Sequence, residues 1–348
     1  MRRRDFLNLS LAGGFSVITR VYPFSEDGSF RADPVVPPFL KKGSKVAFTA
    51  PGSPVSTWEI RQIANFFLRQ GCSIYYGETI TKRDIKQRYL SRDDKFRAEE
   101  INSLFADTSV DCIVAARGGF GSIRVLDLLD YDLIKQNPKI FLGFSDITVI
   151  LLALYKKSNL VTFHGPTGNF NLDSFTSDIL KTLLFEKSSN KDYCIYYNFA
   201  KSDILNYGVS SGKLVGGNLS NLVSLLGTEF EFDTDGFIIF LEEISEPPYK
   251  IDRMLKHLEL AGKFKNCKGV LLGYFGKLDA RRNFYPDYSL TLREIFEMFF
   301  KKYDFPVLMN IPFGHNSKFL TFPIGSYGMI NTEKMEFSLN LYNNIIEN

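Results

Sequence analysis

The sequence predicts an α/β protein: a parallel sheet covered by helices on both faces, followed from about residue 190 by a second domain. Three observations carry that expectation. Short apolar runs alternate with helix-like stretches between residues 45 and 160, as βαβ units require. Several of those runs end in loops built from Gly, Pro and Ser. After His164–Gly165–Pro166 the alternation gives way to a connector and then to a strand-rich segment.

The elements follow in order. "KVAFTAPGSPV" (residues 45–55) is a strand that runs into a Pro/Gly loop. Residues 57–71, "TWEIRQIANFFLRQG", have apolar positions at helical spacing, a Thr near the start and Gly71 where a C-terminal cap belongs. "CSIYYGE" reads as a strand and residues 92–107 as an amphipathic helix. A buried strand follows at 110–116, then "RGGFGS" and a helix over "IRVLDLL"; the next strand is 139–144, and "ITVILLALYKKS" is the helix after Ser145. Ligands of such sheets sit at the carboxyl ends of the strands. "APGSP", "RGGFGS" and "FSD" all fall there, so three separate loops point to one site. A connector with one short helix (167–189) leads to the strands "YCIYYN", "GKLVGG", "GFIIFLEE", "KGVLLGYFG" and "FPVLMNIP" and to three helices. The expected organisation is therefore residues 1–35 as leader and linker, 38–166 as first domain, 167–189 as connector and 190–345 as second domain.

Composition bounds the function. Hydrophobic content of 45% and charged content of 23% over 348 residues describe a globular chain. A net charge of +3 without a Lys/Arg stripe gives no electrostatic footprint for nucleic acid. Cys72, Cys112, Cys194 and Cys267 are too widely spaced for a zinc motif, and Cys112 and Cys267 read as buried thiols. The amino terminus, "MRRRDFLNLSLAGGFSVITR", couples Arg3–Arg4 to a short apolar run, the form of a twin-arginine export signal to the periplasm. An ordinary basic tail on a cytoplasmic protein is the competing reading. The run is too short to span a bilayer, so no stable membrane insertion is expected.

Ser145, between a buried strand and a helix, admits three readings: a helix cap, an anion site or a nucleophile. A strand–Ser–helix turn lifts a hydroxyl out of a sheet and sets backbone N–H groups beside it. The flanks read G-F-S-D, however, and not the usual G-x-S-x-G. A serine nucleophile needs a base and an orienter. Of the three histidines, His257 lies in a charged helical pattern and reads as a surface or packing residue. His164 reads as part of a loop at the domain junction that could face a cleft, and His315 lies in a loop directly after a strand, a position suited to a general base. Glu242 and Glu243 end an apolar strand; alternation puts them on opposite faces, so only one reaches a shared site. The plainer alternative is that both end the strand in solvent.

Seven motifs in order over residues 40–340 resemble the LD-carboxypeptidases of murein recycling, a family that includes the microcin C self-immunity peptidases. They are "VAFTAPGSPV", "ARGGFGS", "GFSDIT", "FHGP", "GGNLS", "LEEISEPPYKIDRML" and "PFGHNSKFLTFPIG". The resemblance implies a flavodoxin-like parallel-sheet first domain with a smaller, barrel-like second domain, commonly as a homodimer. It implies a triad of Ser145 as nucleophile, His315 as base and Glu242 as orienter, with Glu243 the alternative on bare sequence. Backbone N–H groups of Gly119 and Asp146 would form the oxyanion hole, and Arg117 would read the terminal carboxylate unless it is held in a salt bridge of the first domain. Neither metal nor cofactor is implied. The implied reaction releases terminal D-Ala from a murein tetrapeptide at its L,D-amide bond. A serine amidase acting on a peptidyl-nucleotide, and a non-catalytic muropeptide-binding protein, are the alternatives.

Overall fold

The computed structural model describes residues 33–342, leaving out 83, 169, 171, 190–192 and 277–289. The Arg3–Arg4 segment and most of the expected linker lie outside the described residues. The described chain falls within one compact unit, residues 33–345. It begins with β1 (Lys45–Thr49), α1 (Arg61–Arg69), β2 (Ser73–Tyr76), α2 (Glu78–Thr81), α3 (Asp94–Ala106), β3 (Cys112–Ala115), α4 (Tyr131–Gln136), β4 (Ile140–Gly143), α5 (Thr148–Ser158) and β5 (Thr162–His164). It continues with α6 (Ser174–Leu184), β6 (Cys194–Asn198), β7 (Ile204–Asn206), β8 (Val209–Asn218), α7 (Leu219–Ser224), β9 (Phe237–Ile244), α8 (Pro248–Leu260) and β10 (Gly269–Gly276). The last elements are α9 (Leu292–Phe300), β11 (Val307–Leu308), β12 (Phe322–Ile324), β13 (Tyr327–Asn331) and β14 (Glu336–Asn340).

The first sheet has the order β12-β5-β4-β3-β1-β2. Its strands run parallel except β12, which is antiparallel to β5. β3 and β4 are buried at every position, which is why they read as unbroken apolar runs: helices cover both faces. Without β12 the order is 2-1-3-4-5, the doubly wound flavodoxin-like arrangement, whose switch point lies between β1 and β3. The second sheet has the order β6-β14-β13-β8-β9-β10-β11-β7, parallel from β8 through β11 and antiparallel outside that run.

Local chemistry sets the helices. Asp93 caps α3 by accepting from Phe96 N–H, Asp173 caps α6, and Thr291 with Glu294 closes a capping box on α9. α5 is buried on all sides from Thr148 to Leu154, as the apolar run "VILLAL" demands, and only its last turn with Lys156 and Lys157 reaches the surface. The segment "IRVLDLL", expected as a helix, is a 3₁₀ turn over Ser122–Leu128 that starts from left-handed Gly121; α4 follows it unannounced. β7 and β12 to β14 were also not legible as strands. His164 lies in β5, not in a loop. Among the described residues no helix is long and apolar enough to cross a membrane.

The two sheets are joined beyond simple sequence order. After β11 in the second sheet the chain crosses to the first, where Phe322 pairs with His164, and then returns as β13. His315 sits on that crossover, so its loop is anchored in one sheet at each end.

Candidate active site

Ser145 follows β4 through Phe144 and opens a 3₁₀ turn into α5. Its φ is 63°, a left-handed conformation that an L-residue with a Cβ adopts at a cost of about 1–2 kcal/mol. No side chain caps this turn or α5, so Ser145 is not a helix cap. Its hydroxyl has no hydrogen-bond partner among the described residues and faces a cavity of about 360 Å³. Arg117, Gly118, Gly119, Phe144, Thr167 and His315 share that cavity.

Glu242 and His315 form a pair: His315 Nδ1 and Glu242 Oε2 are 2.7 Å apart. Glu242 is wholly buried and His315 is 19% exposed, so the carboxylate holds the ring from beneath while the ring reaches the cavity. Gly314 makes this approach possible. A Cβ there would stand 2.7 Å from both Glu242 Cβ and Oε2, and its φ of 87° lies in the left-handed region. Phe144 packs its ring 5.0 Å from the imidazole of His315. Nucleophile candidate, ring and carboxylate thus come from β4, the crossover and β9, and they converge where the two sheets meet.

Neither glutamate ends its strand in solvent. Glu243 is 3% exposed and points away from His315. It accepts from Ser220 N–H at 2.8 Å, Ser220 Oγ–H at 2.5 Å, Asn218 Nδ2 at 3.2 Å and Ile244 N–H at 2.8 Å. That places it against the amino-terminal turn of α7, where a carboxylate is favoured. Burial nevertheless pushes its carboxyl pKa up. Strand alternation separates the two carboxylates as the sequence requires, and Glu242 is the one bonded to His315.

The glycine loop divides its work between two positions. A Cβ on Gly118 would meet Asp146 N and Ser145 Cβ, each at 3.0 Å, so Gly118 lets the loop lie directly over the serine turn. A Cβ on Gly119 would instead strike Ser53 Oγ at 2.3 Å. The N–H groups of Gly119 and Asp146 have no partner among the described residues. The Asp146 side chain is engaged: its Oδ2 accepts from Ser122 N–H at 2.9 Å. Buried Arg97 ties the loops together by donating to Gly121 O at 2.9 Å and to Pro51 O. Gly118 and Arg97 carried no signal that sequence reasoning could separate from neighbouring glycines and helix charges.

Arg117 lines the cavity and also reaches Glu59 Oε1 at 3.4 Å. Ser56 N–H, donating to Glu59, is the main cause that lowers that carboxyl pKa, with Arg117 contributing. The salt bridge is loose and half-exposed, so it competes only weakly with an incoming carboxylate. His164 does not face the cavity; it is fully buried. His257 is exposed on α8. Cys72, Cys112 and Cys267 are buried free thiols and Cys194 is half-buried and free.

Residues 46–165 match the family model of the LD-carboxypeptidase N-terminal domain, and residues 211–330 that of the LD-carboxypeptidase C-terminal domain, both of peptidase family S66. A Bacillus subtilis (strain 168) protein named "Probable murein peptide carboxypeptidase" is 34% identical over 298 residues, covering 85% of this chain and 91% of that protein. Microcin C7 self-immunity protein MccF of Escherichia coli is 27% identical over 334 residues, 85% of this chain and 92% of its own. The crystal structure of muramoyltetrapeptide carboxypeptidase from Oxalobacter formigenes matches with a TM-score of 0.73 at 26% identity, over 86% of this chain and 99% of that one. With both halves of one family matched in order, and its two-sheet α/β fold present, the chain belongs to the LD-carboxypeptidase family of peptidases.

Proposed function

We propose that the chain is a serine LD-carboxypeptidase that releases terminal D-Ala from murein tetrapeptides. The observation that carries this reading is Ser145, held at positive φ in the same cavity as a His315 ring that a buried carboxylate grips at 2.7 Å. The names of the relatives from B. subtilis and O. formigenes support the substrate class.

In this mechanism His315 Nδ1–H donates to Glu242, which leaves Nε2 unprotonated toward the cavity. Ser145 Oγ attacks the carbonyl of the L,D-amide and its proton passes to Nε2. The oxyanion accepts from Gly119 N–H and Asp146 N–H. The C–N bond breaks, the proton on Nε2 goes to the departing D-Ala amine, and an acyl-enzyme remains. Water, deprotonated by the same nitrogen, attacks the ester, releases the tripeptide and restores Ser145. Arg117 takes the D-Ala carboxylate in place of its loose contact with Glu59.

The test is incubation of purified protein with a defined murein tetrapeptide and assay of free D-Ala. Release of D-Ala that disappears in Ser145→Ala supports the proposal. Hydrolysis of a peptidyl-nucleotide with the tetrapeptide untouched would make the chain a serine amidase of the alternative kind, and binding of the tetrapeptide without turnover would make it a muropeptide-binding protein. We further propose that the enzyme works as a homodimer, as the family resemblance implies, and that it is exported through its Arg3–Arg4 segment, an expectation carried by that sequence motif.

A further inference from the structure

His164 has no part in that mechanism, yet its position is unusual. Its ring is fully buried, and neither Nδ1 nor Nε2 has a hydrogen-bond partner among the described residues. Buried polar atoms are rarely left so. The ring is caged by aromatic residues: Phe240 at 5.3 Å, Phe319 at 5.6 Å, Phe144 at 6.2 Å and Phe313 at 6.4 Å between centroids. Phe240 precedes Glu242 by two positions on β9, so both side chains leave the same face of that strand. His164 also pairs across β4 with Gly143, two residues before Ser145, and Phe144 touches both His164 and His315. His164 therefore lies one layer beneath the triad, on the side of Glu242. There a second orphan waits: Glu242 Oε1 is buried and unpartnered, while Oε2 holds His315.

We infer that His164 is a positioning residue, donating from one ring nitrogen through a buried water to Oε1 of Glu242, and thereby fixing the carboxylate that orients His315. This bridge gives a partner to Glu242 Oε1 and to the protonated one of the two His164 ring nitrogens. A neutral donor suits this place, since it steadies the carboxylate without cancelling the charge that stabilises the His315 cation during turnover. Burial keeps the ring neutral, holding its pKa down to about 4. The same depression removes His164 as a general base, because its cation is disfavoured and its nitrogens do not reach the cavity.

The inference rests on the triad proposed above, and the experiment separates the two. D-Ala release is measured for wild type, Ser145→Ala, Glu242→Gln, His164→Phe, His164→Leu, His164→Gln and the double variant His164→Phe/Glu242→Gln, with thermal unfolding to confirm folding. His164→Phe should lower kcat roughly tenfold to a hundredfold, the range typical of groups that orient a reacting residue, with KM nearly unchanged. His164→Leu, which cannot overfill the cage, should behave alike. His164→Gln keeps an N–H donor and should recover most of the rate. In the Glu242→Gln background His164→Phe should have no further effect, because it acts through that carboxylate. The downfield proton resonance of the His315–Glu242 hydrogen bond should move in His164→Phe. Full activity of His164→Phe, equal loss in Phe and Gln variants, or additive loss in the double variant would overturn the inference while leaving the triad standing. Full activity of Ser145→Ala or Glu242→Gln would overturn both.

Discussion

Acid should weaken this protein through one ring. His164 is buried against phenylalanines, and burial is the main reason that its pKa falls from the ordinary 6.5 to about 4; the nearby Glu242 charge only partly offsets this, and His315 adds to the fall. The unfolded chain takes up this proton first as pH falls. The stability contributed by the neutral ring is therefore complete above pH 6.5 and is lost between there and the folded value of about 4. At about 1.4 kcal/mol per pKa unit the loss comes to about 3 kcal/mol, a large share of the 5–15 kcal/mol that typically holds a domain folded. His164→Phe removes the titration and keeps a ring in the cage. Urea unfolding of wild type and variant at pH 7, 6, 5 and 4.5 reads the difference directly, because surface carboxylates such as Asp94 and Glu259 titrate alike in both. The variant should gain on wild type steadily as pH falls. A stability difference that stays constant from pH 7 to pH 4.5 would show that the ring is not held neutral by burial, and the argument would fail.

Other expected outcomes follow from the same geometry. Ser145→Ala and Ser145→Gly should both be inactive in D-Ala release by several orders of magnitude, yet Gly should unfold about 1 kcal/mol later than Ala because it relieves the positive φ; equal stabilities would remove the strain from the account. Glu242→Gln should lose roughly 10³–10⁴ in kcat with the fold intact, whereas Glu243→Gln should keep most activity and lose about 1–3 kcal/mol of stability, since Glu243 touches no reacting group and its amide can still accept from Ser220 and Asn218 to brace the strand end. The reverse ranking, by kinetics and calorimetry, would mean that the wrong face of β9 serves the ring. Replacing Arg3 and Arg4 with lysines should trap the protein in the cytoplasm, because twin-arginine recognition reads guanidinium geometry and not charge alone; an unchanged periplasmic fraction would rule out that route.

What could be read from sequence followed burial. β3 and β4 are sealed on both faces, so "CIVA" and "IFLG" had to be apolar throughout and announced themselves. β12 did not: "FPI" is three residues long with proline at its centre, and its pairing with β5 is a tertiary fact. His164 was misplaced for the same reason, since "TFH" ahead of Gly–Pro looks like the start of a turn unless β12 is there to pair with it. The serine turn, the histidine loop and the glycine loops were legible as chemistry because each breaks an apolar run with residues that bring polar groups. The choice between Glu242 and Glu243 was not. Alternation says only that the two diverge, and which face meets His315 depends on how β9 lies against the crossover.

The motif "GGNLS" shows how the convergence is held. Asn218 is the cross-strand neighbour of Glu242, and its N–H donates at 3.1 Å to the hydroxyl of Thr148, three residues after Ser145. One short path therefore runs from the serine turn through α5 and β8 to the carboxylate. Its closeness depends on Gly217, where a Cβ would stand 2.4 Å from Thr148 Cγ2. The Asn218 side chain at the same time caps α7 and donates to Glu243. Glu243 thus braces, from the opposite face, the strand end that aims Glu242. The paired glutamates divide the work: one carboxylate serves the ring and the other fixes the backbone on which the first stands. The spacing between Ser145 and Glu242 is set by this buried network where the sheets meet, and not by any loop exposed to solvent. A pre-set spacing of that kind is what a nucleophile on one sheet and an orienter on another require, because an error of about 1 Å costs on the order of a hundredfold in rate.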